Sequence, residues 1–263
     1  MLGGLNQIFI ELTGFCDKTH LCQMCGHQNP KINTTLGNGE IPLDLLQRIA
    51  DQLPSPIVVA FHRNGEPTAY SQLSKALDMF SNQITSIVTH GLNLARKADE
   101  IIGRCTSVTV SIFHNDRDSE AQIESVREFL RVKGDRPPMV QLKLVGPGDQ
   151  APYEVLGVPI INRILHVPHG DTRYIKRDPT IPESRICMAF LGRPSVDWDG
   201  SLYICNLLDP QKHGYLGNLT RDSLDSLWNG EQRMEWLAAH TKGRRDLASP
   251  LCHDCKSYGV PTG

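Results

Sequence analysis

Hydrophobic and polar positions along the first two-thirds of the chain alternate between two periods. Residues 5–12 (LNQIFIEL) place apolar side chains at every second position, which is typical of a strand. Residues 42–53 (PLDLLQRIADQL) place them at helical spacing. The same change of period recurs and predicts strands at 57–61, 85–90, 107–113, 140–146 and 163–169, and helices at 71–80, 94–103 and 119–134.

Strands that alternate with helices form a parallel sheet with the helices outside it. Six predicted strands are too few for a complete eight-stranded barrel. We therefore expect an α/β fold, an open, partial (β/α)6 barrel of the TIM type. Ser119 is expected to cap the helix at 119–134, and Gly134 to end it.

A proline-containing stretch at 178–186 separates two regions of different character. We expect the barrel domain over 1–181 and a smaller, cysteine-rich domain over 182–263. In the second region, residues 196–205 (VDWDGSLYIC) predict a hairpin, because an Asp-Gly pair favours a tight turn. Short helices are predicted at 219–230 and 231–243.

The composition narrows the classes to which the chain can belong. With 263 residues, 40% of them hydrophobic, the chain is long enough to bury a core, which excludes a disordered protein. Lys and Arg number 27 against 29 Asp and Glu, so no basic surplus indicates nucleic-acid binding. No signal peptide and no apolar run of membrane-spanning length is found. We expect a cytoplasmic protein with neither a membrane nor a nucleic acid as partner.

Eight cysteines are the most informative residues of the chain. Three lie early and four lie late, and the remaining Cys105 is interpreted as a small buried residue. The early group is Cys16, Cys22 and Cys25, and the late group is Cys187, Cys205, Cys252 and Cys255. In a chain without an export signal, such groups indicate metal or catalytic sites rather than disulfides.

The early cysteines follow the first predicted strand with the spacing C-x5-C-x2-C. The close pair lets two thiolates reach one metal or cluster, and the third can join them. Three cysteines on a four-iron cluster leave one iron open to a small chelating molecule. The alternative is a zinc site completed by His20 or His27.

These residues resemble the radical S-adenosylmethionine (SAM) enzymes, and the resemblance covers nearly the whole chain. That family places three cysteines after the first strand of a partial barrel, usually spaced C-x3-C-x2-C. Here His20 falls where the second cysteine usually lies, and the loop is longer. Met24 precedes Cys25 where members often have an aromatic residue near the adenine of SAM.

Three further segments at successive strand ends strengthen the resemblance. Asn64-Gly65-Glu66 resembles the Gly-Gly-Glu motif of the family, whose backbone and acid bind the amino group of SAM. His90 replaces the asparagine of a Thr-Asn-Gly turn. Ser111 stands where members contact the ribose or carboxylate. The resemblance implies that these residues, together with Met24, bind SAM.

The late cysteines resemble the SPASM and Twitch extensions of the same family. The order is a cysteine, G-x4-C, LGN, a Leu/Trp segment and C-x2-C. The SPASM form carries more cysteines and a second auxiliary cluster, so the chain resembles the shorter Twitch form. This implies one auxiliary [4Fe–4S] cluster on the four late cysteines. Zinc is again the alternative, because four cysteines also make a good structural zinc site.

The resemblance implies two [4Fe–4S] clusters and SAM as cofactors, with a flavodoxin or ferredoxin as electron donor. Reductive cleavage of SAM would yield a 5′-deoxyadenosyl radical that takes a hydrogen atom from the substrate. In a Twitch dehydrogenase, a base then removes a proton and the auxiliary cluster accepts an electron. Candidates for the base and for substrate contacts are His114, Lys143, Arg163, His166 and His169, while His62 and Arg63 lie nearer the expected SAM pocket.

Three hypotheses about the function remain open at this stage. In size and cysteine order the chain is similar to alcohol-oxidising members from aminoglycoside biosynthesis, which favours a small, polar, sugar- or aminocyclitol-like substrate. The alternative is a maturase that oxidises, cross-links or epimerises a peptide. The first strand begins near residue 5 and leaves no room for a peptide-recognition domain, so a partner would supply one. The third is a zinc-stabilised, non-catalytic binding protein, supported by Asn64 and the lengthened cysteine loop.

Overall fold

Six parallel strands form the barrel sheet in the computed structural model, which describes residues 2–18, 25, 37–113, 117–146, 148–163, 186–253 and 255. The strands are β1 (Gln7–Ile10), β2 (Val58–Phe61), β3 (Ile84–Thr89), β4 (Ser107–Phe113), β5 (Met139–Val145) and β6 (Ile160–Arg163). Each pairs in parallel with the next along the chain. The predicted parallel α/β sheet is confirmed.

Helices connect these strands, as the periodicity predicts. They are α1 (Leu43–Ala50), α2 (Leu73–Met79), α3 (Ala98–Ile101), α4 (Ser119–Lys133) and α5 (Ala151–Glu154), with a 3-10 turn at Pro67–Ala69. Gly134 ends α4 with φ 53°, as expected, whereas Asp118 rather than Ser119 occupies its N-cap. The short α5 was not predicted. The sixth strand begins at Ile160 instead of residue 163, and residues 164–169 lie outside the described part.

Alternate residues of the strands face the helices and build the main core. Fully buried examples are Ile10, Phe61 and Val110. Burying one such side chain stabilises the fold by about 1.5–3 kcal/mol. Because this face secures the helices, the residues on the other face of the sheet are available to form a site.

The C-terminal region continues the barrel sheet on the far side of β1. Its strands are β7 (Ser195–Val196), β8 (Ser201–Tyr203) and β9 (Tyr215–Asn218). β7 pairs in parallel with β1 and antiparallel with β8, so the sheet order is β6-β5-β4-β3-β2-β1-β7-β8-β9. The predicted hairpin is confirmed, with Gly200 at φ 84° in its turn, whereas β9 was missed.

Four helices follow or flank this hairpin in the described region. They are α6 (Met188–Gly192), α7 (Leu224–Trp228), α8 (Glu231–Thr241) and α9 (Pro250–His253), with a 3-10 turn at Arg245–Leu247. The predicted helix at 219–230 is shorter than expected, because the Ser223 hydroxyl caps α7 by accepting from Ser226 N. Among the helices described, none combines the length and apolar character needed to cross a membrane.

Candidate functional site

The inner face of the barrel sheet carries both polar and apolar residues towards the carboxyl ends of its strands. Ser111 of β4 lies opposite Lys143 of β5, and both residues are half-buried. Arg163 pairs with Val145 in the strand register. Ser111 and Lys143 therefore share one face of the sheet. His114, His166 and His169 lie outside the described residues.

The turn after β2 is pressed against the segment that leads to Cys16. Asn64 N and Gly65 N donate to Glu11 Oε1 at 2.9 and 3.2 Å. A Cβ atom on Gly65 would lie only 1.9 Å from Thr13 O, so the close approach requires glycine. This packing places the Asn64–Glu66 turn directly beside the early cysteine loop.

Glu66 braces the ends of β2 and β3. Its buried carboxylate accepts hydrogen bonds from Thr68 N at 3.0 Å, Thr68 Oγ1 at 2.5 Å, Thr89 Oγ1 at 2.6 Å and His90 N at 2.9 Å. The carboxylate therefore first holds the two strand ends together. Any contact to SAM would be made in addition to these four bonds.

His90 joins this brace to the start of the cysteine loop. Its Nδ1 accepts from Leu92 N at 3.1 Å, so the ring proton lies on Nε2 and faces Asp17 Oδ1 at 3.1 Å. Cys16 is within hydrogen-bonding reach of the same ring. The hydrogen bond with His90 lowers the pKa of Asp17 to about 2. The Asp17 carboxylate thus fixes the ring beside the first cysteine.

Trp198, from the C-terminal hairpin, covers both ends of the loop that carries the early cysteines. The ends meet where Gly14 N donates to Gly39 O at 2.9 Å. Cβ atoms built on Gly14, Gly37 and Gly39 would come within 2.9, 2.7 and 2.0 Å of the indole ring. Sequence reasoning missed this contact, although glycines at both ends of the loop were a usable signal.

The two described early cysteines, Cys16 and Cys25, are both half-buried and free of disulfides. Cys22 and Met24 lie outside the described residues, as do His20 and His27. The predicted three-cysteine set is therefore described in two of its members.

The four late cysteines lie in one small apolar core. Cys187, Cys205, Cys252 and Cys255 are all buried there, packed with Phe190, Ile204 and Leu251. Burial raises the pKa of Cys205 to about 12, and the charges of Cys255 and Cys187 add to this effect. Four thiolates so close together in an apolar core are unfavourable without a cation. The donor set therefore suits a metal group that takes all four.

Arg245 holds the last pair of cysteines in place. Its Nε donates to Cys252 O, and its Nη2 donates to Cys255 O at 2.8 Å. The guanidinium thereby fixes the C-x2-C turn and places a positive charge beside it. Sequence reasoning missed this role.

Residues 187–256 match the SPASM family model, described as an iron-sulfur cluster-binding domain. The chain carries a SPASM domain. The match spans all four late cysteines and confirms the predicted auxiliary iron–sulfur domain. The SPASM domain contributes β7, β8 and β9 to the common sheet. A search of curated protein sequences finds no match.

Solved structures match the chain over nearly its whole length. BtrN in complex with AdoMet and 2-DOIA has a TM-score of 0.66 and 17% identity, covering 97% of this chain and 95% of that chain. Streptococcus suis SuiB bound to precursor peptide SuiA has a TM-score of 0.59 and 12% identity, and the match covers 97% of this chain and 71% of that chain. SuiB bound to S-adenosylmethionine has a TM-score of 0.58 and 13% identity, and the match covers 97% of this chain and 72% of that chain. The predicted fold, a partial (β/α)6 barrel followed by a SPASM-type domain, is confirmed.

Glu11 is a buried acid at the floor of this site that sequence reasoning overlooked. Its Oε2 atom is buried without a hydrogen-bond partner among the described residues. Burial, followed by the charge of Asp197, raises its pKa to about 7 against the opposing effect of Arg63. Glu11 therefore holds a proton at pH values where an exposed glutamate has lost it.

This proton makes folding stability depend on pH. An unfolded glutamate ionises near pH 4.5 and the folded one near 7, so between these values the folded protein binds more protons and stability falls as pH rises. As the pH rises through this range, the free energy of unfolding should fall by about 3 kcal/mol, and we expect Glu11→Gln to abolish this fall. Anaerobic urea unfolding of both proteins between pH 5 and 8 measures it. The exposed Glu235→Gln variant should keep the wild-type slope, and an unchanged slope in Glu11→Gln would contradict the assignment.

Proposed function

We propose that the chain is a radical SAM enzyme that reductively cleaves SAM and abstracts a hydrogen atom from its substrate. One observation carries the proposal: Cys16, the turn Asn64–Glu66 and His90 meet at the carboxyl ends of adjacent parallel strands. Active sites of barrel folds lie at this end of the strands. The match to structures bound to AdoMet supports the same interpretation.

The early cysteines, Cys16, Cys22 and Cys25, would hold a [4Fe–4S] cluster to which SAM binds. SAM would be held by Met24, Asn64, Gly65, Glu66, His90 and Ser111. When bound and reduced, this cofactor pair supplies a 5′-deoxyadenosyl radical, which removes hydrogen from an unactivated carbon. The chain's own contribution is to fix the turn through Glu11 and Glu66 and to close the loop with Trp198.

The late cysteines would hold an auxiliary [4Fe–4S] cluster that accepts an electron from the substrate. All four thiols are buried together, so substrate would not replace a ligand there. A flavodoxin or ferredoxin would supply the electron for SAM cleavage. Because such clusters are sensitive to oxygen, we place the protein in the reducing cytoplasm.

The substrate we propose is a small, polar molecule similar to a sugar or aminocyclitol. The inner face carries polar groups beyond the proposed SAM contacts, since Gln141 Nε2 donates to Thr109 Oγ1 at 2.8 Å below Ser111 and Lys143. The match to BtrN with 2-DOIA supports this choice. Lys143 is the candidate on this face for substrate contacts or proton removal, and His114, Arg163, His166 and His169 remain proposals.

A peptide is the second candidate substrate, and one observation supports it. Ile161 lies opposite Lys143 on the inner face and is 46% exposed, so it could receive an apolar side chain. The match to SuiB bound to precursor peptide SuiA agrees with this alternative.

Iron content and SAM cleavage test the proposed function. Anaerobically reconstituted protein should hold about eight irons per chain and negligible zinc. The Cys16→Ala/Cys22→Ala/Cys25→Ala variant should hold about four and should no longer form 5′-deoxyadenosine. The matched control is Cys105→Ala, a buried cysteine outside both groups, which should keep both properties. Cleavage that survives in the triple variant, or zinc in place of iron, would refute the proposal.

Deuterium transfer separates the two substrate classes. Polar cyclitols and sugar alcohols, deuterated at the carbinol carbon, should pass deuterium into 5′-deoxyadenosine if the small-molecule hypothesis is correct. Transfer only from a peptide would establish the alternative.

A further inference from the structure

Arg63 crosses from the barrel to the SPASM domain. It follows β2 directly before Asn64, and only 3% of its side chain is exposed. Its guanidinium forms an ion pair with Asp197 and lies 4.6 Å from the ring centroid of Tyr203. Both partners belong to the C-terminal hairpin, so a residue beside the proposed SAM motif is anchored in the other domain.

Two consecutive hydrogen bonds connect Arg63 with a late cysteine. Arg63 Nη1 donates to Ser195 Oγ, and the Ser195 hydroxyl donates to Cys205 O at 2.7 Å. Ser195 lies opposite Phe9, so the arginine side chain spans β1 to reach β7.

We propose that Arg63 is a positioning residue that raises the reduction potential of the late cluster through Ser195 and Cys205. The inference rests on the proposed function only in assigning an iron–sulfur cluster to that site. Reduction adds one electron, and therefore one negative charge, to the cluster. A buried positive charge stabilises the reduced state more than the oxidised state, because little solvent screens it. Arg63 would thus help the cluster to accept an electron.

Acidic groups lie around Arg63, and their negative charge should lower the reduction potential of the late cluster. Asp197 pairs with the guanidinium, and Glu11 and Asp199 add negative charge nearby. Because Asp197 offsets part of the positive charge, its removal should act on the cluster in the direction opposite to removal of Arg63. General damage to the domain would not produce opposite shifts.

A redox titration followed by electron paramagnetic resonance tests the proposal. In the triple early-cysteine variant the late cluster is the one that remains, so its potential is measured without interference. The titration is made at about pH 8, where Glu11, with a pKa of about 7, is ionised. Arg63→Met should lower the equilibrium constant for reduction about tenfold, or 59 mV for one electron. Arg63→Lys keeps the positive charge, so its reduction potential should lie much closer to that of the protein with Arg63 unsubstituted than the potential of Arg63→Met does. Asp197→Asn should raise the potential.

A further variant separates charge from hydrogen bonding. Ser195→Ala keeps Arg63 and Asp197 but removes the link to Cys205, and it should lower the potential by less than Arg63→Met does. If Arg63→Met does not retain its cluster, Asp197→Asn and Ser195→Ala still decide the matter. Unchanged potentials, or shifts of the same sign in Arg63→Met and Asp197→Asn, would overturn the inference. A site without iron would instead refute the proposed function.

Discussion

Glu66→Ala is expected to destabilise the protein by about 3–5 kcal/mol and to abolish SAM cleavage. The substitution leaves Thr68 N, Thr89 Oγ1 and His90 N without their buried acceptor. Buried donors that lose a charged partner incur the full cost of desolvation. Anaerobic urea unfolding and 5′-deoxyadenosine formation measure the two effects.

Two glutamine variants refine this prediction. In Glu66→Gln, one amide nitrogen must face either the Thr68 and Thr89 donors or His90 N, so a donor meets a donor and cleavage should still be lost. Glu40 also accepts from a backbone N–H and a hydroxyl, both of Ser71, but it is exposed. Glu40→Gln should therefore cost less than about 1 kcal/mol. Equal losses in the two glutamine variants would contradict the role assigned to Glu66.

Gly39→Ala is expected to release the early cysteine loop and to halve the iron content. The added Cβ would lie 2.0 Å from a ring carbon of Trp198, and the rigid indole must leave its place. Overpacking of this kind costs about 1–3 kcal/mol. The loss should fall on the early cluster, because Gly39 O also holds Gly14 N and Thr13 Oγ1 at the loop entrance. Iron analysis after anaerobic reconstitution, with unfolding of the same samples, measures the effect.

A double-mutant cycle isolates the Trp198 contact. In the Trp198→Ala background, the space for the added methyl group is open, so Gly39→Ala should add little further loss. Gly3→Ala is the control, because a Cβ there meets no atom within 4 Å. Additive losses in the double variant would show that Trp198 does not transmit the effect.

The strands were predictable because their signals are local, and the late site because its cysteines follow one another in a recognisable order. The 107–113 strand is observed at the predicted bounds, since its alternating residues satisfy one buried face. The C-terminal domain was predicted from its resemblance to SPASM and Twitch extensions, which the order of the late cysteines and the segments between them carry. The start of the sixth strand was placed three residues too late, because a short run with one exposed face gives little periodic signal.

For one reason, the sequence revealed neither Glu11 and Trp198 as residues of the site nor the partners of Arg63. Glu11, Arg63 and Trp198 each act through partners more than 50 positions away, at Asn64, Ser195 and Gly39 respectively. A periodic pattern predicts which face of an element is buried, but it does not predict which distant side chains pack against that face.

By itself, the sequence determined the alternation of strands and helices and the strand-end motifs, since each depends on neighbours a few residues apart, and it showed the two cysteine groups by their order along the chain. Only the tertiary structure decided that β7 joins β1, and that Arg63 and Trp198 connect the proposed SAM site to the SPASM domain. The physical reason is that sheet pairing, not chain proximity, brings these charges and rings together. Burial then gives their interactions an energy that no local pattern encodes.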